Sequence, residues 1–279
     1  MNLRFTKMQG TGNDFMVVDA VRQHAVFGAD LIRRLADRHF GVGFDQLLVV
    51  EKPSMPDVDF HYRIFNADGS EVQMCGNGAR CFARFVLEQG LTTKRKIRVS
   101  TVSGVLELKV NADDTVTVNM GRPVFEPDKI PFRAEREQKV YTIPLEGFGS
   151  VECGVVSMGN PHAVLRPERL DDQTVQKLGL ALQASELFPE GVNVGFMKVL
   201  GRDEIDLRVF ERGCGETLAC GSGACAAVVV GVEQGLLGNR VRINLRGGTI
   251  TAEYGGSGSD VTITGPAQSV FEGSMEIDG

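Results

Sequence analysis

The sequence predicts an α+β protein made of two pseudo-symmetric domains, each a mostly antiparallel, barrel-like sheet around a central buried α-helix. Three observations carry that prediction. The stretch from Phe65 to Ala79, FNADGSEVQMCGNGA, returns as Phe210 to Ala224, FERGCGETLACGSGA, at one offset of 145 positions (Cys75 to Cys220). Each Cys-Gly-x-Gly-Ala run then leads into an apolar stretch that ends in Glu-Gln-Gly-Leu, at 88–91 and again at 233–236. The segments that follow alternate apolar and polar residues in both halves, as half-buried antiparallel strands do. A period this long marks a domain duplication, far beyond the length of a solenoid repeat.

The elements of one repeat can be justified in order. Gly12-Asn13-Asp14-Phe15-Met16-Val17-Val18 lines up with Gly159-Asn160-Pro161-His162-Ala163-Val164-Leu165 at an offset of 147, and Gln46 falls opposite Asn193 at the same offset. Between these strands, Leu31-Ile32-Arg33-Arg34-Leu35-Ala36 and Val175-Gln176-Lys177-Leu178 have the apolar spacing of amphipathic helices. The helix after Cys220 reads Ala224-Cys225-Ala226-Ala227-Val228-Val229-Val230, apolar all round and therefore buried. Its partner, from Arg80 to Leu87, keeps Phe82, Phe85, Val86 and Leu87 for the interior. Lys96 to Val99 then matches Arg240 to Ile243, Gly104 to Glu107 falls near Gly248 to Thr251, and Thr115 to Val118 matches Asp260 to Ile263. Val124-Phe125-Glu126 copies Val270-Phe271-Glu272, and both are expected to be strands at the edge of a repeat.

Composition narrows the function. With 279 residues, 42% of them apolar, the chain can form two domains of ordinary size. A net charge of −6 in mixed sign leaves no basic stripe, so nucleic acid is not an expected partner. The start, Met1-Asn2-Leu3-Arg4-Phe5, lacks the apolar region of a signal peptide, and no apolar run reaches the length of a membrane span. The expectation is a cytoplasmic protein without membrane partners, whose six cysteines are thiols rather than a disulfide framework. The spacings Cys75 to Cys81, Cys214 to Cys220 and Cys220 to Cys225 match no zinc pattern, so no metal is expected.

The duplicated cysteines carry the chemistry. A cysteine at the start of a helix, followed by Gly-x-Gly, lies among backbone N–H groups that no helical carbonyl takes up. The helix dipole should favour its thiolate and lower a pKa that is about 8.5 for an isolated cysteine. A free cysteine is usually a small core residue, and that reading is preferred for Cys81 and Cys225 inside the helices. Cys153 and Cys214 have no copied partner and are taken as core or loop residues. For Cys75 and Cys220 duplication favours function. Two thiols working on one carbon can remove a proton from one face and deliver it to the other, one as thiolate and one as thiol.

Gly10-Thr11-Gly12-Asn13-Asp14-Phe15, Phe65-Asn66-Ala67-Asp68-Gly69-Ser70, Met74-Cys75-Gly76-Asn77-Gly78, Gly159-Asn160-Pro161-His162, Glu211-Arg212-Gly213 and Ala219-Cys220-Gly221-Ser222-Gly223 together resemble the diaminopimelate epimerase family, from about residue 5 to residue 272. The resemblance implies a pyridoxal-phosphate-independent epimerase, with no cofactor, that interconverts LL- and meso-2,6-diaminopimelate in lysine and peptidoglycan precursor biosynthesis. It implies Cys75 and Cys220 as the two bases, with His162 and Glu211 tuning them. Asn13, Gln46, Asn66, Asn160, Asn193, Glu211 and Arg212 are implied to contact the substrate, and Gly76, Asn77, Gly221 and Ser222 to receive a carboxylate. It further implies a homodimer, and a C-terminal strand that returns to the first domain, giving domains at 1–121 plus 266–279 and at 122–265.

Those roles suit the residue types. Amide side chains accept from an ammonium and donate to a carboxylate, Arg212 offers a bidentate fork, and Glu211 can hold an ammonium. Three alternatives remain at this point: another cofactor-independent racemase or isomerase of the same architecture, a redox protein cycling a Cys75–Cys220 disulfide, and a binding module for amino acids. The first would carry different residues around the cysteines. The second has no need of the amides and Arg212, and the third has no need of paired thiols.

Overall fold

The computed structural model describes residues 1–72, 75–145 and 147–277. Met74 of the first cysteine motif, its neighbour Gln73, and the last two residues of the expected 266–279 segment lie outside the described residues. The chain divides into two compact units, Met1–Asn119 with Thr264–Gly279, and Met120–Ile263.

The first unit opens with strands β1 (Asn2–Gly10) and β2 (Asn13–Asp19), continues with helix α1 (Ala29–Ala36), β3 (Gln46–Glu51) and β4 (Phe60–Asn66), and reaches helix α2 (Gly76–Glu88). It goes on through β5 (Lys96–Thr101), β6 (Gly104–Val110) and β7 (Val116–Asn119). The second unit holds β8 (Tyr141–Leu145), β9 (Gly149–Ser157), β10 (Pro161–Leu165), α3 (Asp172–Gln183), β11 (Asn193–Gly201), β12 (Glu204–Glu211), β13 (Gly215–Thr217), α4 (Gly221–Glu233), β14 (Arg240–Leu245), β15 (Gly248–Tyr254) and β16 (Val261–Gly265). After it, β17 (Gln268–Glu276) pairs antiparallel with β1, with Phe5 opposite Gly273.

The two units repeat one topology. In the first, β2 and β3 are parallel with Phe15 opposite Gln46; in the second, β10 and β11 are parallel with His162 opposite Asn193. A parallel pair needs a crossover, which α1 supplies in one unit and α3 in the other. The remaining partners on this side are antiparallel: β1 with β2, β3 with β4, β9 with β10, and β11 with β12. Both long helices sit inside their sheets. Helix α2 packs on β1, β2, β3, β6, β7 and β17, and α4 packs on β9, β10, β11, β12 and β15.

Burial on both faces explains the strand sequences. Leu47, Val49, Met16 and Val18 face a cluster closed by Ile32 and Leu35 of α1, whereas the opposite face looks onto α2. Such strands cannot alternate, and Leu47, Leu48, Val49 and Val50 are all buried. The second unit builds the matching cluster from Val175 and Leu182 of α3 with Val194, Phe196 and Phe210. Among the described residues no helix is long and apolar enough to cross a membrane.

One expected strand is absent. Val124 makes a single bridge to Ser157, with bonds of 3.0 and 2.8 Å, and the chain turns at once into a short 3-10 helix, Pro127–Lys129. Pro123 and Pro127 flank this segment, and neither has an N–H to extend a ladder. Its copy, Val270-Phe271-Glu272, has no flanking proline and lies within β17.

Candidate functional site

Cys75 and Cys220 are the N-caps of α2 and α4. Both have extended backbone, φ −140° and ψ 110° at Cys75, φ −128° and ψ 117° at Cys220. The sulfur takes the place of a capping oxygen: the Gly78 N–H donates to Cys75 Sγ at 3.3 Å, and the Gly223 N–H donates to Cys220 Sγ at 3.4 Å. The helical ladder begins only with Ala79 N to Cys75 O at 2.8 Å and Ala224 N to Cys220 O at 2.9 Å. The amides of Gly76, Asn77, Gly221 and Ser222 therefore stand beyond the ladder at the positive end of each dipole. Glycine is needed three residues after Cys75 because a Cβ on Gly78 would sit 2.6 Å from the Tyr62 hydroxyl. That hydroxyl is buried and has no hydrogen-bond partner in the described structure, and burial pushes the phenol well above its ordinary pKa.

In the first unit the turn between β1 and β2 places Asn13 beside Cys75. Thr11 and Gly12 both take positive φ, 55° and 86°, and the Arg80 guanidinium of α2 donates to Thr11 Oγ1 at 3.0 Å and to the Pro266 carbonyl at 3.1 Å. The Cys75 thiol faces Asn13 Oδ1 at 3.7 Å, and Asn13 Nδ2 donates to Asp45 Oδ2 at 2.7 Å. Gln46 and Asn66 are opposite one another on β3 and β4, with Gln46 Nε2 donating to Asn66 Oδ1 at 2.9 Å. Gln46 Oε1 is a buried acceptor without a hydrogen-bond partner in the described structure. Asn66 donates onward to Ser70 Oγ at 3.2 Å.

In the second unit His162 is buried and neutral, its pKa pushed down to about 3 by burial and then by the nearby Arg212 charge. Its Nε2 lies 2.9 Å from Asn160 Oδ1, so Nε2 carries the proton and donates, and Nδ1 remains a buried lone pair without a partner. Asn193 clamps main chain: its Nδ2 donates to Pro161 O at 3.1 Å, and its Oδ1 accepts from Arg212 N at 3.0 Å. The exposed Arg212 guanidinium donates to Glu190 O at 2.7 Å and has no carboxylate partner among the described residues. Glu211 ends β12 and accepts from Thr217 Oγ1, and its carboxylate lies close enough to Cys220 to raise the thiol's pKa. Ser222 Oγ is 3.5 Å from Cys220 Sγ.

The thiol at Cys220 behaves opposite to the sequence expectation. Its pKa is pushed well above the ordinary value, first by burial and then by the Glu211 carboxylate, and the contacts with Ser222 and Gly223 N–H only partly offset this. The dipole of one helix end acts on a sulfur that has lost its water, and desolvation outweighs it. Cys220 is therefore a thiol at rest. Replacing Glu211 by glutamine should move the pH profile of Cys220 carboxymethylation to lower pH while burial keeps it above that of an exposed cysteine; peptide mass spectrometry of timed samples gives the profile. Buried Cys81 and Cys153 are pushed up as well, Cys153 to about 12, in keeping with core roles.

Three groups around these helix ends were not picked out from the sequence. Arg63 clasps Glu71 with two bonds of 2.8 and 3.0 Å, and Arg208 clasps Glu216 with two bonds of 2.7 Å. Each ion pair ties the strand before a cysteine to the segment that leads to it. The signal was available, since the 145 offset carries Arg63 onto Arg208 and Glu71 onto Glu216. The third group, Lys7, Asp14, Arg38 and Asp45, has no copy in the second half. Burial alone would raise the Asp14 carboxyl, but hydrogen bonds from Arg38 and Lys7 hold it far below the usual carboxylate range.

The model of the family described as diaminopimelate epimerase matches residues 5–126 and 154–270. Among solved structures, a hydroxyproline epimerase from Agrobacterium vitis with bound trans-4-hydroxy-L-proline superposes with a TM-score of 0.71 at 15% identity, over 100% of this chain and 93% of that one. A phenazine biosynthesis protein of the PhzF family from Bacillus anthracis gives 0.67 at 15% identity, over 99% and 100%. A methylitaconate Δ-isomerase gives 0.67 at 11% identity, over 99% and 95%. At these identities the likeness is one of fold. The family match covers both copies of the thiol-capped helix, and on it the chain belongs to the diaminopimelate epimerase family of epimerases and isomerases.

Proposed function

We propose that the chain is a two-base epimerase that interconverts LL- and meso-2,6-diaminopimelate, with Cys75 and Cys220 exchanging the roles of thiolate base and thiol acid. The observation that supports this most is the duplicated sulfur cap, in which each thiol sits beside two backbone amides outside the helical ladder. In this reading one thiolate takes the α-proton, the electron pair spreads into the adjoining carboxylate, and the other thiol returns a proton to the opposite face. The amides of Gly76, Asn77, Gly221 and Ser222 receive the negative charge that builds on that carboxylate, which is the larger source of rate. His162 is neutral and acts by orienting Asn160, so its role is indirect.

The asymmetry of the surroundings supports a substrate with one reacting end and one held end. Where the first unit has Asn66, the second has Glu211, followed by Arg212. A carboxylate and a guanidinium side by side suit the ammonium and carboxylate of a distal amino-acid group, with Asn66, Gln46, Asn160 and Asn193 completing its contacts. Under this reading the protein works in the cytoplasm as a homodimer on the route to lysine and peptidoglycan precursors. The test is incubation with LL-diaminopimelate in deuterated water under reducing conditions. The expected result is a meso product with deuterium at one α-carbon; absence of label there, or label entering L-proline or trans-4-hydroxy-L-proline instead, overturns the assignment.

A further inference from the structure

The equivalent amides Asn13 and Asn160 are locked in opposite senses. Asn160 has its oxygen taken by His162 Nε2 at 2.9 Å. Asn13 has its nitrogen taken by Asp45 Oδ2 at 2.7 Å, and the oxygen is the atom turned to Cys75. Asp45 is itself fixed: Oδ1 accepts from Arg38 Nη2 at 2.9 Å, Oδ2 also accepts from Asp14 N at 3.1 Å, and Asp45 N donates to Asp14 Oδ1 at 3.0 Å. Arg38 binds Asp14 with two further bonds of 2.9 and 2.7 Å, and Lys7 binds Asp14 from the other side at 2.5 Å. A carboxylate bonded to a guanidinium only accepts, so the amide nitrogen of Asn13 has a single place to go.

We propose that Asp45 is a positioning residue that sets the flip of Asn13, so that Cys75 meets an amide oxygen that disfavours its thiolate until a ligand cation occupies that oxygen. An amide oxygen takes the S–H proton as a hydrogen bond and disfavours the thiolate, whereas a flipped amide would donate N–H to the sulfur and favour it. A substrate ammonium seated on Asn13 Oδ1 removes the acceptor and brings a positive charge, both of which release the thiolate at the moment a substrate is present. The inference rests on the epimerase reading for the identity of that cation, though the geometry of Asp45, Asn13 and Cys75 does not. Among the described residues, the other ionisable groups at this end of α2 include Tyr62 beneath Gly78, with Cys81 and Arg80 on the helix itself. The partner of the Asn13 amide nitrogen is Asp45 rather than any of these.

The test uses ligand-free protein and the pH profile of Cys75 carbamidomethylation by iodoacetamide, read at the Cys75 peptide by mass spectrometry. In Asp45→Ala the amide can turn its N–H to sulfur, and alkylation at neutral pH should rise about five- to tenfold, the equivalent of one hydrogen bond, with the profile displaced to lower pH. In Asn13→Ala there is no amide to turn, so adding Asp45→Ala on that background should leave the profile where Asn13→Ala puts it. A change below twofold in Asp45→Ala, or an equal shift on the Asn13→Ala background, overturns the proposal. A fall in melting temperature without a displaced profile would mean that Asp45 is merely structural, which also overturns it. Because no substrate is added, a protein that failed to label diaminopimelate would still give a readable answer.

Discussion

Replacing either Cys75 or Cys220 by serine should lower kcat/KM for epimerisation by about 10²–10⁴-fold while the protein folds and melts as before. The argument turns on what the sulfur does in each place. As an N-cap it accepts a hydrogen bond from the amide three residues on, and serine is among the best residues for that task. As an acid or base it must trade a proton near neutral pH, and a serine hydroxyl cannot do so at useful rates. Serine thus separates the two roles, whereas alanine would remove both and cost about 0.5–2 kcal/mol of helix stability. Kinetics of each variant with LL- and meso-diaminopimelate, alongside thermal melts, give the readout. An active serine variant at either position would show that the thiol there is a cap alone.

A second large effect is expected from Gly221→Pro, and equally from Gly76→Pro. Both glycines occupy the first position of their helices, where proline is favoured because its fixed φ suits the helix and its missing N–H has no helical partner to lose. The preceding cysteines already have the extended backbone that a following proline demands. The backbone therefore accepts proline, and the substitution deletes one backbone donor while adding a ring at a buried position. If these amides hold the charge of the reacting carboxylate, kcat should fall by about 10²–10³-fold, the usual loss for one oxyanion donor. Gly221→Ala keeps the donor and serves as the control; a proline variant as active as that control would remove the amides from the mechanism.

The fold was legible because duplication turns one ambiguous pattern into two that must agree. A run such as Leu47 to Val50 reads equally as strand or buried helix, but its position before the Asn66 segment, repeated before Glu211, fixes it as a strand of a βα-crossover pair. The start of each long helix was legible from Cys-Gly-x-Gly-Ala for the same reason. What failed to show was anything set by environment rather than by order. Val124 copies Val270, yet its neighbouring prolines stop a ladder at one bridge. Cys220 copies Cys75, yet burial and Glu211 decide its protonation, and neither follows from a helix dipole. Asn193 was legible as an amide at the site, but not that two of its bonds go to main chain at Pro161 and Arg212. The Arg63–Glu71 and Arg208–Glu216 clasps were hidden by a different cause: charged residues eight positions apart have no apolar period to betray them, although the duplication marks both.

A sulfur that caps a helix also couples proton traffic to the integrity of that helix. A thiolate is a stronger acceptor than a thiol, so each time Cys75 or Cys220 gains a proton the bond from Gly78 or Gly223 weakens and the first turn loosens; each time it loses one, the turn tightens. In the proposed two-base cycle the two helix starts would breathe in antiphase, one firm while the other slackens. Covalent modification of either sulfur would hold its own turn permanently slack, and amide exchange at Gly78 and Gly223 would report which of the two had been struck.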